Sequence, residues 1–422
     1  MLHAGNENVR KLILEGEFGI EEEGLRIHGD GHLAHTENPF EGQRYIVKDF
    51  CENQVEINTP VVSGAKEAVA TLSRILRKVT DELSTLPREE FLWAFSNPPY
   101  IVSEQDIPIA QYRGEEQQKT RYREYLAERY GKYKMTFSGI HVNFSFADEL
   151  LKADFAASGK TDFRQYKDEL YLMLGQKAAV YGWLLVALTA ASPILDSSYV
   201  EKGVCGTSVF SGMASVRCSE LGYWNHFSPV LDYRNVDSYA ESIQRYVTDG
   251  LIASPSELYY PIRLKPKGEN TLVNLRKNGI NHIELRMFDL NPLAESGIDD
   301  RDLFFAQLFL IWLASTPELS VDKSAQVQAV QNFKHAAHFD LKTVPIVAPD
   351  GRTYMVADAA QKVLREMKSF YEGYPQEVQE TLAFEEEKFI DAGNRYAWII
   401  RDAYSEDFVK QGVILAKNRL KK

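Results

Sequence analysis

Acidic side chains recur in this sequence at spacings that place them on the polar faces of strands. In residues 19–25, Gly-Ile-Glu-Glu-Glu-Gly-Leu, Glu21 and Glu23 share one face if the segment is extended, because strand side chains repeat every two residues. Glu56, His141 and Glu284 hold polar positions in three further alternating segments, and Asp49 lies just before the one that carries Glu56. Carboxylates gathered on one sheet face repel, since two like charges about 4 Å apart cost about 4 kcal/mol at an effective dielectric of about 20. Divalent cations remove that repulsion, and carboxylate oxygens with a single imidazole suit Mg²⁺ or Mn²⁺ rather than zinc. Each segment alone reads first as the solvated side of a half-exposed strand; the joint pattern is what points to a metal site. Glu52 is close in sequence but sits at a turn, so it stays outside the set.

ATP phosphates are the commonest reason for a protein to gather several such cations. The sequence has neither a GxxxxGK[ST] loop nor a GxGxxG after a strand, so phosphates would be held by metals and arginine. Arg286, two residues from Glu284 on the same predicted face, is placed to lie over a transferring phosphoryl group while Glu284 holds a metal. An ion pair with a neighbouring carboxylate is the other reading of this arginine.

The elements that must carry these groups are strands with one polar face. Residues 55–60 alternate Val55 and Ile57 with polar neighbours; Ile140, Val142, Phe144 and Phe146 alternate with His141, Asn143 and Ser145; Ile283 and Leu285 alternate with Glu284 and Arg286. Residues 25–34 read as two strands joined at Gly29, Asp30 and Gly31, and residues 63–86 have the period of an amphipathic helix. The uncharged run 178–195 predicts one buried core helix rather than a membrane span, since it contains Thr189, Ser192 and Pro193 and has no companion span. From Arg301 the pattern is helical apart from a turn-rich excursion at 343–353. Without a βαβ rhythm, this predicts an α+β fold on an antiparallel sheet and disfavours a doubly wound nucleotide fold. No linker or repeat divides residues 1–422, so one continuous catalytic body is expected, with 320–422 as its mainly helical C-terminal part.

Composition narrows the function classes. Sixty Asp and Glu against 48 Lys and Arg give a net charge of −12, which repels phosphate backbones and anionic lipid, so neither nucleic acid nor membrane is an expected partner. Cys51, Cys205 and Cys218 form no CxxC pair, which argues against a disulfide framework or a structural zinc site. No apolar stretch of signal-peptide length opens the chain, and a cytoplasmic protein is expected.

Seven collinear segments carry a more specific signal: GIEEEGLRI (19–27), DFCENQVEINTP (49–60), YREYLAERYG (122–131), SGIHVNFS (138–145), VRCSELGYWN (216–225), ELYYPIR (257–263) and IELRMFDLNP (283–292). Together they resemble the signature segments of bacterial glutamate–cysteine ligases over roughly residues 15–320, most closely the ligase half of the bifunctional glutathione synthetases of Gram-positive bacteria. The resemblance implies a glutamine-synthetase-like antiparallel sheet, curved into a funnel with ATP and metals at its wall. It implies Mg²⁺-site roles for Glu21, Glu23, Asp49, Glu56, His141 and Glu284, and a place beside the γ-phosphate for Arg286. It further implies that Arg217 holds the α-carboxylate of the L-glutamate substrate and that Phe50, Tyr122, Tyr223 and Tyr259 wall the L-cysteine pocket. The reaction implied is phosphorylation of the glutamate γ-carboxylate by ATP, then attack by the cysteine amine to give γ-glutamylcysteine. Cys51 and Cys218 adjoin motif residues, where inert packing is expected.

Two departures qualify the resemblance. Residues 197–214 do not follow the longer family pattern ahead of VRCSELGY, which leaves open a ligase of the same fold that joins glutamate to a different amine. The sequence runs to Lys422 in a Lys/Arg-bearing helix, without an ATP-grasp module, so the dipeptide rather than glutathione is the expected product.

Overall fold

A computed structural model describes residues 1–419 of the chain. Strands β1 (Gly16–His28), β2 (Ile46–Lys48), β3 (Gln54–Asn58), β4 (Val62–Ser63), β5 (Glu90–Leu92) and β6 (Ile140–Phe146) come first. A separate hairpin follows, β7 (Ile194–Asp196) with β8 (Ser208–Phe210). Strands β9 (Ile262–Lys265) and β10 (His282–Phe288) then return to the main sheet. Its order is β2-β3-β1-β6-β10-β9, with β4 and β5 also pairing β1, and every pairing is antiparallel. The expected α+β architecture is thus present.

Alternation decides which face is which. Phe18 and Ile20 of β1, Val55 and Ile57 of β3, Val142 and Phe144 of β6, Ile262 and Leu264 of β9, and Ile283 and Leu285 of β10 all enter one hydrophobic core. That core is closed by the helices Ala65–Ser84, Phe163–Tyr181, Trp183–Thr189 and Asp300–Ser315. The intervening positions therefore face the other way, and there the register aligns Glu21 with His141, Glu23 with Glu56, and Glu284 with both Asn143 and Arg263. A one-residue slip would move every one of these polar groups into the core, so apolar burial itself fixes the register.

Three sequence expectations need correction. The run 178–195 is buried as expected but is not one helix: Phe163–Tyr181 bends by 55° into Trp183–Thr189, and the rest enters β7. The break falls at Gly182, where an added Cβ would stand 2.6 Å from the Ala178 carbonyl oxygen and 2.7 Å from the Phe333 ring. No single helix among the described residues is long and apolar enough to cross a membrane. In residues 25–34 the second strand reduces to a single bridge, Ile27 to Leu33, flanked by His28 N donating to the His32 carbonyl and Ala34 N to that of Arg26, while β5 pairs the opposite edge of β1 from Arg26 to His28. The excursion at 343–353 contains a hairpin, β11 (Pro345–Val347) with β12 (Thr353–Met355). Helices Lys323–Ala336, Val356–Phe370, Gln376–Ile390, Tyr396–Tyr404 and Phe408–Arg419 supply the expected helical C-terminal part; Lys421 and Lys422 lie outside the described residues.

Candidate active site

Glu21, His141 and Glu284 come from three adjacent strands, β1, β6 and β10, and offer ligand atoms all within 4.8 Å of one another. His141 Nδ1 lies 3.2 Å from Glu21 Oε2 and 3.9 Å from Glu284 Oε1, while its Nε2 is 3.8 Å from Glu23 Oε1. Burial and the nearby Arg286 charge hold the imidazole pKa down to about 4, so it is neutral and its ring nitrogens are available as ligands. Burial opposes the Glu21 charge, yet the His141 hydrogen bond and the Lys265 ammonium carry its pKa down to about 2. Glu284 is fully buried and still held well below the usual carboxylate range, against burial, by Arg286 and Lys265.

Across β1 lies a second acidic group. Burial and the Asp49 charge push Glu23 up to about 8, and burial with the charges of Asp49, Glu21 and Glu23 raises Glu56 far above the usual range. Burial raises Asp49 as well. Three carboxyl groups raised by burial and by one another's charge, beside a lowered pair, form a concentration of acidic groups whose mutual repulsion a divalent cation would relieve. The donor set fits hard cations, and two buried atoms, Glu284 Oε2 and His141 Nε2, have no hydrogen-bond partner among the described residues. Glu22, between Glu21 and Glu23, points the other way and is also buried, which raises its pKa to about 8. Glu52 pairs with Lys48 and the Gln111 amide, apart from this set, as its turn position implied.

Arg286 makes the ion pair that was one of its two sequence readings. Its Nη1 donates to Glu284 Oε1 at 3.2 Å, and it lines a cavity with Arg217, Cys218, Tyr223, Tyr259 and Met287. Arg217 is locked from behind: Nη2 donates to the Arg286 carbonyl at 2.8 Å and Nη1 to that of Phe288 at 3.4 Å, while Nε is buried and unpartnered. Gly139 makes room for it, because a Cβ there would stand 2.2 Å from the Arg217 Cζ. Tyr223 and Tyr259 meet edge to face with ring centroids 4.9 Å apart. Tyr122, on the helix Gln117–Tyr130, and Phe50 do not line this cavity; Phe50 is buried in a second hydrophobic cluster against which Tyr122 and Tyr259 pack. Burial raises the Cys218 thiol to about 11 and pushes Cys51 further up, in line with inert packing.

Sequence reasoning missed the residues that hold this arrangement. Lys265 donates to Glu284 Oε1 at 2.7 Å and lies 3.5 Å from Glu21 Oε1. Its position two residues after Arg263, on the face that β9 turns toward β10, was the available signal. Asn143 donates to Glu21 Oε1 at 2.9 Å. Behind the tyrosines, the fully buried Glu257 accepts from the Tyr130 hydroxyl at 2.7 Å, and Asn225 accepts the Tyr259 amide at 2.8 Å, so the three motifs that carry tyrosines are tied together.

Residues 2–336 match the family model of glutamate-cysteine ligase. The chain belongs to that family. Among its curated relatives, the glutathione biosynthesis bifunctional protein GshAB of Listeria welshimeri is 35% identical over 378 residues, covering 86% of this chain and 48% of the relative. The glutamate–cysteine ligase of Clostridium acetobutylicum is 33% identical over 377 residues, covering 77% of each. The chain thus spans about half the length of the bifunctional relatives it matches. A bifunctional glutathione synthetase from Pasteurella multocida superposes with a TM-score of 0.85 at 26% identity, over all of this chain and 55% of that one. The Francisella tularensis glutamate–cysteine ligase, solved in complex with AMP, gives the same score at 22% identity over 96% of this chain and 88% of that one, a likeness of fold. The glutamate–cysteine ligase sheet is therefore the frame on which the acidic cluster, the two arginines and the tyrosines are mounted.

Proposed function

We propose that this glutamate–cysteine ligase family member joins the γ-carboxylate of L-glutamate to the amine of L-cysteine with ATP, through a γ-glutamyl phosphate, giving γ-glutamylcysteine, ADP and phosphate. The observation that carries the reading is the meeting of three chemically distinct zones at Arg286: the acidic cluster on one side, Arg217 on another, and Tyr223 with Tyr259 on the third. Glu21, His141 and Glu284 would hold one Mg²⁺, and Glu23, Asp49 and Glu56 another; Mn²⁺ has the same ligand preference. Bound there, Mg²⁺ supplies charge that offsets the negative oxygens of a transferring phosphoryl group.

The side chains do the rest. Arg286, kept charged by Glu284 despite burial, stabilises the same oxygens from the protein side with a fork of donors. Arg217, anchored on the Arg286 and Phe288 carbonyls, takes the α-carboxylate of glutamate and so fixes how far the γ-carboxylate reaches toward the phosphate. A carboxylate resists attack by an amine; the acyl phosphate does not, and displacement of phosphate by the cysteine nitrogen forms the amide. Tyr223 and Tyr259, with Tyr122 and Phe50 behind them, would seat the cysteine and keep water from the activated intermediate.

The test is phosphate release with ATP, Mg²⁺ and glutamate across cysteine, 2-aminobutyrate and a panel of other amines. Cysteine and its isostere 2-aminobutyrate should support turnover, with γ-glutamylcysteine identified by mass. A different γ-glutamyl amide in place of the dipeptide would assign the chain to another amine, and no glutamate-dependent release with any amine would overturn the ligase reading.

A further inference from the structure

Behind the aromatic wall sits a carboxylate with no solvent exposure. Glu257 closes the single 3₁₀ turn Pro255–Glu257 that leads into Tyr259 and then β9. Its Oε1 accepts from the Tyr130 hydroxyl at 2.7 Å and the Tyr125 hydroxyl at 3.3 Å and lies 3.0 Å from Arg129 Nε, while its Oε2 accepts the Ala253 amide. A buried charge is costly unless it is paired and hydrogen-bonded, and here one cation and three donors converge on it.

Those contacts reach separate stretches of chain. Tyr125, Arg129 and Tyr130 belong to the helix Gln117–Tyr130, which also carries Tyr122, and the Tyr122 and Tyr125 rings stack with centroids 6.4 Å apart. Asn225, two residues after Tyr223, donates through Nδ2 to the Glu257 carbonyl at 2.9 Å and to the Tyr130 hydroxyl at 3.2 Å, and its Oδ1 accepts the Tyr259 amide. The Tyr259 ring meets those of Tyr130 and Tyr223 edge to face, with centroids 5.2 Å and 4.9 Å away. Sheet register aligns the acidic cluster, but Tyr122, Tyr223 and Tyr259 all lie outside the strands, so something else must set their spacing.

We propose that Glu257 is the positioning residue of the acceptor pocket: without touching substrate, it holds the elements that carry Tyr122, Tyr223 and Tyr259 at the spacing that seats the amine and shuts out water. This rests on the ligase reading above. Glutamine in its place keeps the volume but loses the charge and sets an amide NH₂ where donors converge, so the network no longer closes as built.

Kinetics of the full chain with ATP, Mg²⁺, glutamate and cysteine, with ADP and dipeptide measured in the same samples, test it. Glu257→Gln should raise the cysteine KM about tenfold or more and leave the ATP and glutamate KM within about twofold. It should also raise the ADP formed per dipeptide from about one to about two or more, because water adding to the acyl carbon returns glutamate and phosphate in place of the dipeptide. Tyr130→Phe, which removes one hydroxyl and keeps the ring, should move both readings the same way by less, and carries the test should Glu257→Gln not fold. Asp154→Asn is the control, since Asp154 is as fully buried and accepts from the Tyr166 hydroxyl between the helices Asp148–Ser158 and Phe163–Tyr181; it should lower Tm and leave both readings alone. An unchanged cysteine KM in folded Glu257→Gln, equal rises in all three KM values, or an equal change in Asp154→Asn would each overturn the inference. A ratio that stays at about one would overturn its water-excluding half. Should the wild-type chain take another amine, the KM for that amine is the one to read; a wild-type chain without glutamate-dependent turnover would fail the ligase reading first, and this inference with it.

Discussion

Glu284 keeps its charge in full burial because Lys265 and Arg286 both reach its Oε1, while Oε2 stays without a partner. Replacing it by glutamine preserves volume but removes the charge and leaves two cations facing an amide. Glu284→Gln should cut kcat by about 10² to 10³ at saturating Mg²⁺, the scale seen when one preorganised electrostatic group is removed. A purified, folded variant with near-normal kcat would take Glu284 out of the metal site. Arg217→Ala should act instead on the glutamate KM, raising it about 10- to 100-fold with little change in kcat, since it loses a charge-assisted contact to a carboxylate that does not react. An effect confined to the ATP or cysteine KM would move Arg217 to another pocket. At this scale the acidic residues were legible because strand alternation reveals direction: Glu21, His141 and Glu284 all point as their spacing implied. Lys265 was not, since a lysine at a strand end reads as surface until its neighbour strand is known. Phe50, whose place in the aromatic wall was implied by the motif match, lies in the second hydrophobic cluster and outside the cavity lining.

Gly139 couples elements rather than residues. It enters β6 in close contact with Arg217, from the distant 216–225 segment, and it donates its amide to Glu23 Oε2 at 3.0 Å, so one position touches both the acidic cluster and Arg217. Gly139→Ala puts a Cβ on the guanidinium, which must shift and release the Arg286 and Phe288 carbonyls. The glutamate KM of Gly139→Ala should therefore rise toward that of Arg217→Ala, and the double variant should be no worse than Arg217→Ala alone, because both act through one contact. Additive losses in the double variant would break the link. The strands themselves were readable from alternation, and so was the helix now seen at Ala65–Ser84. The bend at Gly182 was not, because the Phe333 ring that leaves no room for a side chain there is 151 positions away in sequence and close only after folding. The hairpin expected at 25–34 shrinks to one bridge, on an edge of β1 that the β3 segment already holds up to Arg26, whose amide donates to the Asn53 carbonyl.

For the molecule as a whole, the acidic face is a store of protons. Burial and the Asp49 charge raise Glu23 to about 8, and Asp49 and Glu56 shift in the same direction. A carboxyl whose folded pKa lies above its unfolded value of 4.5 contributes stability that is complete below about pH 4.5 and is lost as pH rises through about 8. Glu21 runs the other way: lowered to about 2, its contribution is present above about pH 4.5 and is lost only as pH falls through about 2, so it is constant across the neutral range. The Tm of the metal-free protein should therefore fall between about pH 6 and pH 9, and saturating Mg²⁺, which favours the ionised carboxylates, should flatten or reverse that fall. The same linkage requires Mg²⁺ to displace protons, on the order of one or more per molecule at about pH 7. Calorimetric titration of Mg²⁺ into the chain in buffers of different ionisation enthalpy measures that number directly. Heats that do not depend on the buffer, together with a metal-free Tm that stays level from about pH 6 to pH 9, would mean that Glu23, Asp49 and Glu56 are ionised without a cation, and the acidic wall would then be a solvated face and not a metal site.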